Sequence, residues 1–254
     1  MPISLTPVSA VAFVLGAVVG SFLNVVAYRV VRGESIVRPR SHCTTCATAL
    51  SPLELVPLLS WLFLRGRCRT CGAVIPVRYA ITELCTATLF ALTTVTVPFG
   101  LKWVAWGVFW ALLTTVVATD LTAMRVPNVL SLGGAVIVIA LVGLSGIHPW
   151  WSGLVGAVEA ASVLLLLQLV SRGGMGMGDV KLYLSVGAML GFLPGLESLI
   201  VASLFGSVVG LSMRAVGWLR AREHVPFVPY IVIGVVVVVF FGHTMSSWYL
   251  SRVL

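Results

Sequence analysis

Asp120 and Asp179 are the only two aspartates in this chain of 254 residues, and each stands at the edge of a strongly apolar segment. Charged side chains at membrane depth are rare and usually functional. Two carboxylates held close together in a low-dielectric site cannot both ionise easily, so they share a proton and form an acid-base pair. One can then deprotonate a water that attacks a peptide carbonyl, while the other donates a proton to the oxyanion and then to the leaving amine.

The carboxylate of Asp179 follows four glycines in the run Gly173-Gly174-Met175-Gly176-Met177-Gly178-Asp179-Val180-Lys181. Glycine lets the backbone break a helix and approach another group closely. We therefore expect Gly176, Gly178 and Lys181 to support a groove in which a substrate backbone lies as an added strand. Asn24, near the end of the first apolar segment, must find a partner or water, and we interpret it as either a helix-packing residue or a substrate contact.

Taken alone, Asp120 is typical of a helix-end residue paired with Arg125. Pro127 stops any helix that continues through this segment and fixes a turn. Placement on the same membrane surface as Asp179, argued below, favours a functional role instead. Glu83 lies just inside the second apolar segment, and we expect it to pair with Arg78 or with another arginine of the preceding loop, with a functional role as the alternative.

Four of the five cysteines form two Cys-x-x-Cys pairs separated by 21 residues: Cys43, Cys46, Cys68 and Cys71. Each pair can place two thiolates on one tight turn, and two such turns supply the four ligands of a tetrahedral structural zinc site. Disulfides are the alternative, but a loop that faces a reducing cytoplasm favours zinc. A site filled by four cysteines leaves no position for a catalytic water. His42, beside the first cysteine, is an alternative ligand.

The composition indicates a membrane protein, because 59% of the residues are hydrophobic and only 9% are charged. The first charged residue is Arg29, so we interpret the opening apolar stretch as a retained helix rather than a cleavable signal peptide. The net charge of +8 agrees with basic cytoplasmic loops that face anionic lipid. We do not expect nucleic-acid binding, since no basic face with interleaved aromatics occurs outside the first loop.

Hydropathy predicts an all-α polytopic protein with about eight transmembrane helices. The predicted spans are Ser4–Tyr28, Ile81–Pro98, Trp103–Thr119, Val129–Ile147, Ser152–Ser171, the short Leu182–Leu193, Leu196–Met213 and Phe227–Ser247. With eight spans and the amino terminus outside, fourteen of the 16 basic residues fall on the cytoplasmic side. Asp120 and Asp179 then both lie at the cytoplasmic membrane surface.

The long polar segment divides the chain into three predicted domains. Residues 1–28 form the first transmembrane helix, residues 29–79 a cytoplasmic zinc-ribbon-like domain, and residues 80–254 the rest of the membrane domain. About fifty residues rarely bury enough core to be stable without a metal or disulfides. The apolar stretch Pro57–Leu62 is expected either to pack on the zinc unit or to lie in the membrane interface.

The motifs together resemble the bacterial prepilin peptidases, the type IV leader peptidases among the membrane aspartyl proteases. Gly176-Met177-Gly178-Asp179 is similar to their Gly-x-Gly-Asp signature. Further similar motifs follow in order along nearly the whole chain: Gly20-Ser21-Phe22-Leu23-Asn24-Val25, Arg40-Ser41-His42-Cys43, Leu64 to Arg69, Arg78-Tyr79, Glu83-Leu84, Asp120 with Pro127-Asn128, and Lys181-Leu182. Three positions depart from the family pattern, which has proline, proline and glycine where this chain has Thr44, Ala80 and Val228.

The resemblance implies a peptidase of the bacterial inner membrane with Asp120 and Asp179 as its catalytic pair. It implies cleavage of type IV prepilins, or of type II secretion pseudopilins, after a leader glycine at the cytoplasmic surface. In the form with a cysteine-bearing loop it also implies methylation of the new amino terminus by S-adenosylmethionine. No glycine-rich nucleotide fingerprint follows a predicted strand, so the sequence names no residues for the methyl donor.

Two other classes of protein remain compatible with parts of the sequence. A proton-coupled transporter could use Asp120 and Asp179 as a relay, although both then lie at one surface rather than at the midplane. A membrane-anchored zinc-ribbon interaction module would explain the cysteines and leave the glycine-aspartate run without a role. The sequence does not indicate an oligomeric state.

Overall fold

The computed structural model describes residues 7–170, 176–218 and 225–253, with side chains described for all of these except residue 150 and residues 243–253. These ranges contain nine α-helices, and their only β pairing consists of two isolated bridges. The helices are α1 (Pro7–Arg32), α2 (Leu59–Phe63), α3 (Arg78–Thr96), α4 (Leu101–Ala123), α5 (Asn128–Ser145), α6 (Trp150–Val170), α7 (Met177–Leu190), α8 (Phe192–Ala215) and α9 (Val228–Val253). They fall into two compact units, Met1–Ala123 and Met124–Leu254.

In the first unit, α1 packs closely against α3 because small residues line their contact. A side chain added at Gly16 would come within 2.8 Å of the backbone of Ala87, and one added at Gly20 would come within 2.8 Å of the backbone of Glu83. Gly16 and Gly20 are four residues apart and lie on one face of α1. The small-residue pattern therefore serves close helix packing, as it does in many membrane helices.

In the second unit, α7 is the central element and packs against α5, α6, α8 and α9. Ten of its 14 residues are buried. Gly187 of α7 and Gly156 of α6 approach so closely that a side chain at either glycine would overlap the backbone carbonyl of the other. This burial on almost every face explains how a short helix is held in a fixed position.

Among the residues that the structure describes, six helices are long and apolar enough to cross a membrane: α1, α3, α4, α5, α6 (over Trp151–Val170) and α8. The part of α9 whose side chains are described, Val228–Gly242, is a shorter apolar helix. Helix α7 has 14 residues, which at about 1.5 Å per residue is shorter than a bilayer core of about 30 Å. The eight predicted spans thus correspond in order to α1 and α3 through α9.

Two helix boundaries differ from the predicted spans and change the setting of the aspartates. Helix α4 continues to Ala123, so Asp120 lies in its last turn rather than beyond its end. Helix α7 begins at Met177, five residues before the predicted start, so Asp179 lies in its first turn. Gly176 precedes it with extended backbone (φ −71°, ψ 138°) and is the N-cap residue.

The segment between α1 and α3 contains a single 3-10 turn (Pro52–Leu55) and the short α2. The side chains of the apolar stretch over α2 lie in two environments, one facing the protein and one exposed. Trp61 turns inward and donates from Nε1 to the carbonyl of Ile75 at 3.2 Å. Leu62 and Phe63 are 64% and 79% exposed. The proposed division at residues 28/29 and 79/80 remains a prediction, since the compact units separate at Ala123 and Met124.

We predict that Gly187→Ala destabilises the protein by roughly 1–3 kcal/mol, because the new methyl group overlaps Gly156 and meets Ala160. Gly133→Ala in α5 is the matched control, because a side chain there has no atom within 4 Å. Thermal unfolding of the purified protein in detergent measures both. Equal unfolding temperatures for the two variants would contradict the close packing of α6 on α7.

Candidate functional site

The first turn of α7 holds the carboxylate of Asp179. Asp179 is 7% exposed and occupies the third position of the helix, where its amide donates to the carbonyl of Gly176 at 3.1 Å. Its Oδ2 lies 3.3 Å from the position that a side chain on Gly176 would take. The carboxylate therefore folds back over the helix N-terminus, where the helix dipole favours a negative charge.

Two contacts fix the start of α7 against the segment that leads into α5. A side chain at Gly178 would lie 2.6 Å from Cβ of Val126, so glycine is needed there for close packing. Lys181 Nζ donates to Asn128 Oδ1 at 2.8 Å. The structure thus brings three predicted support residues, Gly176, Gly178 and Lys181, to the turn that carries Asp179.

The sequence predicts a flexible glycine backbone here, but the described part of the run, residues 176–181, is an ordered helix start. Gly178 is helical and packed, and Gly176 is an ordinary N-cap. Gly173, Gly174 and Met175 lie outside the described residues. Asp120, in the other compact unit, is 6% exposed in the last turn of α4, so both aspartates of the chain are buried at helix ends.

Asn24 and Glu83 connect the elements around the cysteine-bearing segment. Asn24 Nδ2 donates to the carbonyl of Tyr79 at 3.1 Å and joins α1 to the start of α3. Glu83 does not pair with Arg78; its Oε2 accepts the backbone amide of Leu58 at 2.8 Å. Arg32 with Glu34 forms the ion pair found among the described residues. The expected arginine partner is replaced by a backbone donor because α1 and α3 shield this carboxylate (8% exposed).

The four cysteines lie on two loops with the same backbone pattern, which the sequence analysis did not recognise beyond the Cys-x-x-Cys spacing. In the first loop, the amides of Cys43 and Ala47 donate to the carbonyls of Thr48 and Cys43 at 2.9 Å each. In the second, the amides of Cys68 and Gly72 donate to Ala73 and Cys68 at 2.8 and 2.9 Å. The bridges His42 with Ala49 and Arg67 with Val74 close the two loops at equivalent positions.

The four sulfur atoms lie within 4.8 Å of one another, as the ligands of one metal ion must. Cys43 Sγ and Cys71 Sγ are 3.8 Å apart, close to the roughly 3.8 Å that a tetrahedral Zn–S₄ centre with bonds of about 2.3 Å requires. His42 is not part of this cluster. Its Nδ1 lies 3.0 Å from the carbonyl oxygen of Arg40. The predicted cluster of Cys43, Cys46, Cys68 and Cys71 can hold a metal ion.

Local hydrogen bonds prepare most of these thiols to ionise. The backbone amides of Cys46 and Thr45 lower the pKa of Cys43, those of Cys71 and Thr70 lower the pKa of Cys68, and the side chain and amide of Thr48 lower the pKa of Cys46. Burial and the neighbouring cysteine sulfurs, which outweigh the Ala73 amide, raise the pKa of Cys71 to about 11. A fourth thiolate beside three others requires a cation, as a bound metal provides.

A cavity of about 220 Å³ adjoins the two cysteine loops within the first unit. Its wall combines the C-terminal half of α1, the start of α3 and the loops. Asn24, Trp61, Tyr79 and Glu83 line it, together with Cys43 and Cys68 from the two loops. Sequence reasoning singled out Asn24 as a helix-packing residue or a substrate contact and placed Trp61 only within an apolar stretch. It did not predict the cavity, because the cavity depends on how a segment with little secondary structure folds onto two helices.

These features define a class: a polytopic all-α membrane protein with buried aspartates at helix ends and a zinc-ribbon-like four-cysteine module. Comparison with known proteins gives the family. A model of the bacterial peptidase A24 N-terminal domain matches residues 14–97, and a model of the type IV leader peptidase family matches residues 107–211. No solved structure was found to match the chain.

Relatives match over most of the chain. A prepilin leader peptidase/N-methyltransferase of Bacillus subtilis (strain 168) is 33% identical over 249 residues, covering 96% of this chain and 99% of the relative. One of Aeromonas salmonicida (strain A449) is 32% identical, covering 96% and 94%. One of Myxococcus xanthus (strain DK1622) is 39% identical, covering 79% and 62%. The chain belongs to the type IV leader peptidase family.

We predict that the purified protein carries about one metal ion per chain and that replacing Cys43 and Cys46 together by serine removes it, because two of the four ligands are lost. Cys85→Ser is the control, since Cys85 lies in α3 apart from the cluster. Metal analysis of the three proteins tests this. Acid must also release the metal, because protons compete for the thiolates. Absence of metal from the unmodified protein would favour disulfides or free thiols.

Proposed function

We propose that this protein is a prepilin leader peptidase that also methylates the new amino terminus. Its substrates are type IV prepilins or type II secretion pseudopilins, cut after the leader glycine. The observation that carries the proposal is the family match over 96% of the chain, whose relatives bear both activities in their names. Multi-pass membrane insertion agrees with the six long apolar helices of the described residues.

Asp120 and Asp179 are proposed as the catalytic pair. They are the only aspartates of the chain, and each is buried in a terminal helical turn. A carboxylate pair of this kind hydrolyses a peptide bond by activating water with one member and protonating the leaving amine with the other.

The helix dipoles support a division of roles. Asp179 stands at a helix N-terminus, where negative charge is favoured, and Asp120 stands at a helix C-terminus, where it is disfavoured. Asp179 is then the ionised member that takes a proton from water, and Asp120 is the protonated member that donates to the oxyanion and the leaving amine. Gly176, Gly178 and Lys181 position Asp179 rather than contact the scissile bond.

Zinc is the proposed metal, because four thiolates at tetrahedral spacing suit Zn²⁺ and a cysteine-filled site serves structure rather than catalysis. Zinc also explains how a segment with one short helix and one 3-10 turn is stable. The positive-inside rule supports a cytoplasmic location for this module and for both aspartates in the bacterial inner membrane. The exposed Leu62 and Phe63 suit contact with the membrane interface.

The transporter alternative has no support among the relatives, which are prepilin leader peptidase/N-methyltransferases. The burial of both aspartates at helix ends is also a poor match to a relay across the bilayer midplane. The interaction-module alternative leaves unexplained why the chain buries Asp179 at the start of its most enclosed helix.

We predict that Asp120→Asn and Asp179→Asn each reduce the rate of leader cleavage by roughly a hundredfold to ten-thousandfold, because each removes one member of an acid-base pair. Cleavage is measured with the full-length enzyme in detergent and a purified prepilin. Glu197→Gln in α8 is the matched carboxylate-to-amide control and retains cleavage. Unchanged thermal unfolding in all three variants shows that the fold is intact. Normal cleavage by either aspartate variant would refute the proposed pair.

A further inference from the structure

The cavity beside the cysteine loops has no role in the aspartate chemistry, and its charge is unlike that of the rest of the chain. Its wall includes three of the six glutamates, Glu34, Glu54 and Glu83. One guanidinium, that of Arg29, lines the wall, and Arg32 pairs with Glu34, so two carboxylates have no ion-pair partner among the described residues. The whole chain carries a net charge of +8. An excess of carboxylates in one concave site of a basic protein favours a ligand that bears a positive charge.

Glu83 is the strongest feature of this cavity. Its side chain is buried and accepts the Leu58 amide at 2.8 Å. Within the described part of the chain, no basic side chain forms an ion pair with it. Arg29 is the nearby cation, and its guanidinium donates hydrogen bonds to the carbonyls of Ser35 and Pro39 at 2.9 and 2.6 Å. A buried carboxylate without a cationic partner is suited to pair with a cation from outside.

Trp61 gives the same cavity a rigid aromatic wall. Its Nε1 is held by the carbonyl of Ile75, and a side chain at Gly66 would lie 3.0 Å from its ring, so glycine is needed behind it. Gly66 also has a positive φ of 65°. Cys43 and Cys68 line the cavity as well, so the metal cluster braces this wall. A fixed indole is a surface on which a flat heterocycle can stack.

We propose that this cavity binds the sulfonium methyl donor S-adenosylmethionine, with Glu83 as the counter-charge and Trp61 as the stacking surface for its purine. The assignment rests on the methylation proposed above. The donor supplies a methyl group: the neutral amino nitrogen of the pilin gives its lone pair to the methyl carbon, the S–C bonding pair stays on sulfur, and the positive charge moves from sulfur to nitrogen. Asn24 also lines the cavity and joins α1 to Tyr79.

Glu83→Gln separates the charge of this residue from its structural role, because the amide oxygen still accepts the Leu58 amide. We expect the affinity of the full-length protein for S-adenosylmethionine to fall roughly tenfold, as for loss of a charge-assisted contact. Affinity for S-adenosylhomocysteine, whose sulfur is neutral, changes much less. Equilibrium dialysis with labelled compounds measures both. Metal content stays at the unmodified level, which shows that the cysteine loops beside the cavity are intact, and Glu197→Gln is again the matched control.

Trp61 provides an independent pair of variants. Trp61→Ala removes the aromatic wall and is expected to weaken both compounds, because both carry the purine, whereas Trp61→Phe retains part of the stacking surface and weakens them less. Ultraviolet cross-linking of labelled S-adenosylmethionine to the unmodified protein should label a peptide that contains Trp61. Labelling confined to residues 124–254 would overturn the assignment.

The outcomes also separate this assignment from the proposed function. Suppose that the unmodified enzyme cleaves and methylates the pilin and that Glu83→Gln binds the donor with unchanged affinity. This result would refute donor binding in the cavity and leave the proposed enzyme function standing. Weaker binding of a mature pilin amino-terminal peptide, with normal donor affinity, would assign the cavity to the acceptor amine instead. If the unmodified enzyme cleaves the pilin but neither methylates it nor binds the donor, both the proposed methylation and donor binding in the cavity are refuted.

Discussion

The cost of burying a carboxylate among apolar helices is the constraint on which this structure depends. The described part of the chain buries three acidic side chains, Glu83, Asp120 and Asp179, which are 8%, 6% and 7% exposed. Removing an ionised carboxylate from water costs several kcal/mol even after relaxation. Glu83 is compensated by a backbone donor and Asp179 lies at a helix N-terminus. Each of the three has a place in the proposed chemistry, which accounts for its retention.

Small residues and the cysteine cluster make these positions possible. Gly20 lets α1 approach the backbone of Glu83, and Gly178 lets the start of α7 approach Val126. Larger side chains would hold the elements apart and expose the carboxylates to lipid or water. The segment between α1 and α3 has almost no regular structure of its own, so a metal held by four cysteines supplies the stability that a small hydrophobic core cannot.

The sequence predicted much of this arrangement because its signals are local. Long apolar runs predicted α1, α3 to α6, α8 and α9, and the Cys-x-x-Cys spacing predicted the metal cluster, while the family resemblance is confirmed by the comparisons. Glycine density was a misleading signal at Gly178, where the residue is small for packing rather than for flexibility. The sequence predicted an arginine partner for Glu83, whereas its partner is the amide of Leu58. It also did not predict the contact of Trp61 with Ile75. Both contacts involve an irregular segment whose course hydropathy does not predict.

The most direct test of the account is the mass of the mature pilin made by the unmodified enzyme. Purified full-length protein is incubated with a prepilin and S-adenosylmethionine, and mass spectrometry determines the new amino terminus. The account predicts a product that begins directly after the leader glycine and is heavier by one methyl group. Intact precursor, or cleavage at another bond, would contradict the peptidase assignment.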